Sequence, residues 1–213
     1  FPEVFEEGGF DCILGNPPWD QLQLDPREFF ASRDENISKA KNMSARTKLI
    51  KQLEKNNPTL YKEYETAKHN VDCEKKYIHE SGRFSFTNFG RLNLYSLFAE
   101  ITRELIKGRS GIIVPTGIAT DSFNQYFFGD LIKTQNLVSL YDFENRKKLF
   151  PEVLSLIKFS LVTIAKKVIK QVDFSFFLTD PKQVNNPNYV FQLSPQDIAL
   201  INPNTLTCPV FRT

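Results

Sequence analysis

The stretch Phe10-Asp11-Cys12-Ile13-Leu14-Gly15-Asn16-Pro17-Pro18-Trp19 decides how this chain is read. Its first six residues form a short apolar run closed by glycine, the pattern of a buried strand. The strand empties into an amide, two prolines and an aromatic. Pro17 and Pro18 each hold φ at about −65° and carry no N–H, so the loop presents carbonyls in a stiff frame. Asn16 adds a side-chain oxygen as acceptor, the Pro17 carbonyl supplies a second, and Trp19 offers a flat aromatic face. An amino group on a heteroaromatic base is a poor nucleophile because its lone pair is delocalised into the ring. Two fixed acceptors on its N–H bonds localise that pair, and their rigidity is preorganisation. An ordinary strand-ending turn also uses Asn-Pro, but the four residues together describe a slot for an amino-bearing base.

Downstream of the tetrad, residues from Asp20 to Arg91 turn polar and helical. A helix is expected over Ala45–Lys55. Asn57 followed by Pro58 reads as an N-cap with proline in the first turn, opening a second helix that ends near Ser81-Gly82. Between Ser38 and Lys55, Lys39, Lys41, Arg46, Lys48, Lys51 and Lys55 face one acid, Glu54, a net +5. That is enough to engage several phosphates, although a solvated helix face has the same composition. The insertion springs from the loop that carries the tetrad, which favours a role near the substrate.

From Leu92 onward strands and helices alternate. Leu92–Lys107 is an amphipathic helix with Gly108 as its C-cap, followed by a strand at Gly111–Val114. A helix over Asp121–Lys133 and strands at Leu137–Phe143, Ser155–Lys166 and Val172–Leu178 follow. Strand–helix–strand order implies an α/β fold with a mostly parallel sheet. Thr116, Gly117 and Asp121 lie just past the carboxyl end of a strand, where open α/β sheets bind ligands, although helix capping explains them too. Asn145, Arg146, Lys147 and Lys148 form a basic turn that either touches a nucleic-acid backbone or is simply solvated. Ser194-Pro195-Gln196-Asp197 opens a short helix with a capping box, stopped by Asn202-Pro203.

Composition excludes several classes. The 213 residues are 41% hydrophobic with a net charge of only +2, so overall charge does not announce nucleic acid. No run of about twenty apolar residues suggests a membrane span, and no secretory signal is visible. Cys12, Cys73 and Cys208 show no metal spacing and read as reduced, small buried hydrophobes of a cytoplasmic protein. His69 and His79 stand ten apart in a charged helical stretch, so no metal site is expected.

The run FDCILGNPPW resembles motif IV of class I S-adenosylmethionine (SAM)-dependent amino methyltransferases, in particular the N6-adenine-specific DNA methyltransferases. GRLNLYSLFAE, GIIVPTGIATD, SLYDFENRKKLFPEV, IKFSLVTIAKK and INPNTLTCPVFR resemble the large methylase polypeptides of restriction-modification and phage-defence systems. The resemblance implies that Asn16 and the Pro17 carbonyl hold the target amino group and that Trp19 stacks on a flipped adenine. It also implies that Phe159 contacts the base from the other side, as the aromatic of motif VIII, and that Thr116, Gly117 and Asp121 wall the cleft. The last two core strands should form an antiparallel hairpin, making the sheet mixed. The implied cofactor is SAM. The partners are double-stranded DNA, the remainder of the same polypeptide, and nuclease or defence subunits.

One departure matters. The family binds SAM on an earlier β-α-β-α unit with a Gly-x-Gly turn, and none of the nine glycines here stand two apart. A single β-α-β crossover needs about thirty residues, more than precede Phe10. The expectation is the carboxyl-side half of a Rossmann-like methyltransferase sheet, excised from a larger protein and inactive alone. The core would be residues 1–19 and 92–180, a helical insertion residues 20–91, and 181–213 an extension toward an absent target-recognition domain. The rival readings are a methyltransferase for protein glutamine or an RNA base, and a non-catalytic DNA-binding subunit that retains the fold.

Overall fold

The computed structural model describes residues 1–211; Arg212 and Thr213, the end of the expected extension and of the INPNTLTCPVFR run, lie outside the described residues. The chain forms two compact units, one of Phe1–Gln21 with Phe84–Thr213 and one of Leu22–Arg83.

The first unit opens with α1 (Pro2–Glu6) and β1 (Phe10–Gly15). The second unit is all helix: α2 (Pro26–Phe30), α3 (Glu35–Ser38), α4 (Met43–Asn56) and α5 (Pro58–Glu80). Each start is capped by a side chain, Asp25, Asp34, Asn42 and Asn57, which accepts an otherwise unpaired N–H of the first turn. A small core of Phe30, Ile37, Ile50 and Leu53 from α2, α3 and α4, with Leu60, Tyr61 and Tyr64 of α5 packed against it, holds the four helices together. Residues 84–91, expected in the insertion, belong instead to the first unit. The reason is Glu100, buried at 2% exposure, whose carboxylate accepts from the Ser85 and Phe86 N–H groups at 2.8 and 3.1 Å and from the Thr87 hydroxyl at 2.5 Å.

The first unit continues with α6 (Leu94–Leu105), β2 (Ile106–Pro115), α7 (Gly117–Thr120), α8 (Gln125–Lys133) and β3 (Leu137–Glu144). It ends with β4 (Lys158–Ala165), β5 (Val172–Leu178), β6 (Phe191–Leu193) and α9 (Pro195–Ile201). Gly108 is not a helix cap. The backbone becomes extended at Ile106, the residue that follows α6, and Gly108 lies inside β2, where a Cβ would run into the Asp11 carbonyl of β1. The glycine is there for close strand approach.

The six strands form one sheet in the order β1-β2-β4-β3-β5-β6. The α/β class and the mixed sheet stand, but the last two expected core strands, β4 and β5, do not pair with each other: β4 pairs antiparallel with β3, and β5 pairs parallel with β3. The sheet is not mostly parallel: only β1–β2 and β3–β5 are parallel, while β2–β4, β3–β4 and β5–β6 are antiparallel. The cause is the connection after β3. Residues 145–157 contain no crossover helix, so β4 returns antiparallel and slots between β2 and β3.

On one sheet face Ile112, Val114, Leu140, Val162 and Ile164 pack beneath α6, α7 and α8 in the main core. The opposite face carries a smaller cluster around Phe143, Phe159 and Leu178. β1 is an edge rather than a buried strand: Leu14 is 80% exposed and Cys12 is exposed, as is Cys73, so only Cys208 fits the buried-thiol expectation. Burial pushes the Cys208 thiol up, leaving it an unreactive neutral group.

Candidate active site

The tetrad sits where β1 stops. Gly15 pairs opposite Ile112, and one residue further along β2 the Ile113 carbonyl accepts the Trp19 indole N–H at 3.3 Å. The same N–H donates to Asn16 Oδ1 at 3.0 Å. An indole nitrogen can only donate, so it selects which end of the Asn16 amide faces it and leaves the second lone pair of Oδ1 available. On the far side of the tetrad the Asp20 carbonyl accepts the Leu94 N–H at 2.9 Å, and Gln21 bridges to Asn93. The loop is therefore tied to β2 at one end and to the start of α6 at the other.

Trp19 is half-buried against phenylalanines. Its ring lies 6.2 Å from Phe159 and 6.1 Å from Phe150, the latter edge-to-face at 79°. Phe150 in turn meets Phe159 edge-to-face at 4.9 Å, and Phe159 stacks on its cross-strand partner Phe143 at 5.4 Å and 8°. Asn16, Pro17, Pro18, Trp19, Phe150 and Val153 line a cavity of about 310 Å³, at the small end of the usual ~300–1,000 Å³ for ligand pockets.

This geometry corrects the assignment of Phe159. It is 3% exposed behind Trp19 and does not line the cavity; Phe150 does, from the loop after β3. Phe159 is consumed by its stack on Phe143 and supports the indole from below. Phe150 and Val153 were missed in the sequence, although an aromatic set directly before Pro151 in a polar loop was a visible signal.

Thr116, Gly117 and Asp121 form a different network at the carboxyl edge of β2 and are not among the cavity-lining residues. The Thr116 hydroxyl donates to Asp142 Oδ1, which the Ser160 hydroxyl also reaches at 3.2 Å. Asp142 is fully buried; burial pushes its carboxyl above the ordinary value, with the two hydroxyls opposing. Asn124 donates to the Gly117 carbonyl at 2.8 Å and to the Tyr95 hydroxyl at 3.2 Å, and accepts from Ser96 at 2.7 Å. A Cβ at Gly117 would meet the Asp121 carboxylate, which would have to swing aside. Burial raises the Tyr95 hydroxyl pKa as well, so it stays neutral. Tyr95, Asn124 and Asp142 were not singled out in the sequence.

Of the basic residues in the helical unit, Lys41, Lys48 and Lys51 are exposed, and Lys39 is exposed but paired with Glu35. Arg46 contradicts a phosphate-binding role. It is 1% exposed and its guanidinium donates to the carbonyls of Ile37, Ser38 and Ala40 at 3.0, 3.1 and 3.1 Å, closing the end of α3. Asn145, expected in an exposed basic turn, is fully buried, whereas Arg146, Lys147 and Lys148 are exposed.

No group of three or more His, Cys, Asp or Glu suited to a metal ion occurs among the described residues, and none of their helices is long and apolar enough to cross a membrane. SAM does not fit the residues present as a complete site. The stretch before β1 is the short helix α1 and a turn at Gly8-Gly9, and β1 has no strand partner on its outer edge among the described residues. The cavity beside Trp19 is lined by an amide, prolines and apolar groups, without a carboxylate for ribose hydroxyls.

No curated protein matches the chain. Among solved structures, 64% of it matches 18% of the type IIG restriction endonuclease BpuSI at 17% identity and TM-score 0.46. A further match covers 63% of this chain and 34% of the type I restriction-modification methyltransferase subunit from Streptococcus thermophilus, at 13% identity and TM-score 0.43. In a complex of DrdV with DNA, 86% of this chain matches 17% of that one at 11% identity and TM-score 0.44. The chain thus spans about a third or less of the length of each. A family model matches residues 1–150, from α1 through the tetrad to Phe150, and on that match the chain belongs to the Eco57I restriction-modification methylase family.

Proposed function

We propose that this chain holds the target base in a DNA methyltransferase that transfers a methyl group from SAM to the N6 amino group of a flipped adenine, in the service of restriction-modification or phage defence. The observation that carries this reading is the cavity in which Asn16, oriented by the Trp19 indole, adjoins Pro17 and faces Phe150. Asn16 Oδ1 and the Pro17 carbonyl accept the two N–H bonds of the amino group and localise its lone pair. Trp19 stacks on the base, and Phe150 and Val153 complete the lining beside it. A base must leave the duplex to reach such a slot. When bound, SAM supplies the electrophilic methyl group; the main residues of its site lie outside this chain, so the remainder of the polypeptide is the partner that brings it.

The Thr116–Gly117–Asp121 turn walls the cleft beyond β2. Exposed Lys41, Lys48 and Lys51, rather than Arg46, contact DNA phosphates. The reaction then takes place on cytoplasmic DNA, alongside nuclease or defence subunits.

The test uses the polypeptide that carries this chain, labelled SAM and mixed-sequence duplex DNA, with digestion to nucleosides. Label should appear in N6-methyladenine and vanish for Asn16→Ala. Label found only in protein, in RNA or on another base would overturn the assignment.

A further inference from the structure

The loop that brings Phe150 to the cavity runs from residue 145 to 157 and carries only a single short turn at Asn145–Lys147. Loops of this length without secondary structure are uncommon in compact domains. Apolar burial does not hold the far end of this one, since Leu154 is 73% and Leu156 87% exposed. Its shape comes largely from hydrogen bonds that converge on one buried amide, aided by the exposed Lys148 ammonium, which donates to the Pro151 and Val153 carbonyls at 3.4 and 3.2 Å. Asn145 Nδ2 donates to the carbonyls of Phe150 and Val153, both at 2.9 Å, while Oδ1 accepts the Phe150 N–H at 2.9 Å. The Asn145 backbone closes both ends of the loop's frame, its N–H donating to Ile157 at 3.1 Å and its carbonyl accepting from Lys148 at 2.9 Å. Asn145 thus grips both backbone groups of Phe150, and the two carbonyls it holds most closely belong to Phe150 and Val153, which line the cavity with the tetrad; a third, of Leu154, lies at 3.5 Å.

We infer that Asn145 is a positioning residue for the base slot: its amide anchors the loop and sets Phe150 and Val153 beside Trp19, with the Phe150 ring edge-to-face with the indole. This rests on reading the cavity as the base site. No residue other than asparagine presents two donors and an acceptor at this reach. An aspartate of the same size would turn a charged acceptor toward two carbonyls and release the loop.

Trp19 is the single tryptophan of the chain, so its emission reports the wall directly. In the 213-residue chain without ligand, Asn145→Asp should red-shift Trp19 emission and raise its quenching by acrylamide, with the far-ultraviolet circular dichroism retained. Phe150→Ala should do the same, and the double variant should go no further than either, because the residues act in series. In methyl transfer by the polypeptide that carries the chain, Asn145→Asp should raise KM for DNA about tenfold, the loss of one aromatic wall, with KM for SAM unchanged. Should Asn145→Asp not fold, Asn145→Ser, which cannot span both carbonyls, serves the same comparison. Unchanged Trp19 emission and quenching in a folded variant, or additive effects in the double variant, overturn the inference. A wild-type polypeptide that fails to methylate DNA overturns the base-site reading instead, while the emission comparison still decides the role of Asn145.

Discussion

Trp19→Phe separates the two roles that the geometry assigns to this side chain. Phenylalanine keeps an aromatic face for stacking but lacks the N–H that reaches Asn16 Oδ1 at 3.0 Å and the Ile113 carbonyl at 3.3 Å. The Asn16 bond is exposed, so its net worth belongs at the middle or low end of the usual range, about 1 kcal/mol. Without it nothing among its hydrogen-bond partners selects which end of the Asn16 amide faces the slot, and the acceptor must be ordered during the reaction. A loss of about 1 kcal/mol corresponds to roughly fivefold in kcat/KM. Trp19→Ala removes stacking as well, worth about 1–3 kcal/mol per base, and deprives Phe150 and Phe159 of their neighbour. The expected order is therefore wild type, then Trp19→Phe some fivefold lower, then Trp19→Ala lower by about a further tenfold or more. The assay is initial-rate methyl transfer from labelled SAM to duplex DNA, with Asn16→Ala as the background. The reasoning fails if Trp19→Phe matches wild type, since the indole N–H would then orient nothing that matters. It fails equally if Trp19→Phe is as inactive as Trp19→Ala.

Asp142, fully buried with its pKa raised mainly by burial, makes stability depend on pH. Between the ordinary carboxylate value of about 3.8 and the higher folded value, the folded chain keeps a proton that the unfolded chain has released, so stability falls as pH rises through that window and is level below it. The penalty is about 1.4 kcal/mol for each pH unit that separates the two values; urea midpoints from pH 3 to 8 should show the decline in wild type and a flatter profile in Asp142→Asn. In the helical unit, Lys41→Gln, Lys48→Gln and Lys51→Gln should each reduce the slope of log affinity against log salt by about 0.9 if they meet phosphates. Arg46→Leu should leave that slope alone and lower the unfolding free energy of the unit by about 3 kcal/mol, because three carbonyls lose a charged donor. An unchanged slope across the three lysine variants would remove the unit from the DNA-contacting surface.

Much of the fold was legible because it rests on local pattern. The strands at β1, β3 and β5 fall where short β-branched and apolar runs were expected, and the caps at Asn57 and Ser194 open helices as their side chains dictate. Strand direction was not legible. It depends on whether a connection is long and helical enough to cross over, and residues 145–157 are long without being helical. Gly108 misled for a related reason: glycine permits both a helix stop and a close approach between strands, and only the position of the Asp11 carbonyl tells the two apart. β1 reads as apolar enough to be buried, yet burial is a property of neighbours, and its outer edge has none among the described residues.

The candidate site divides along the same line. Asn16, Pro17, Pro18 and Trp19 are contiguous, so their chemistry can be read from adjacency alone. Phe150 and Phe159 stand nine residues apart, and although Phe150 precedes a proline in a polar loop, no local signal commits Phe159 to the interior. The choice is made by register: β3 and β4 pair so that Phe143 lies opposite Phe159, the two rings stack, and Phe159 is committed to the interior before any base arrives. Phe150 is then the ring left to line the cavity beside Trp19, provided its loop is held. Arg46 teaches the same point from the charged side. As one of six cations in a row it looks like a phosphate ligand, and only the convergence of three carbonyls at the end of α3 turns it inward. In both cases the residue's type sets what it can do, and non-local pairing decides which of its possible roles remains; the loop after β3, where a buried amide settles that choice for Phe150, is where sequence reasoning about this site has most to gain from structure.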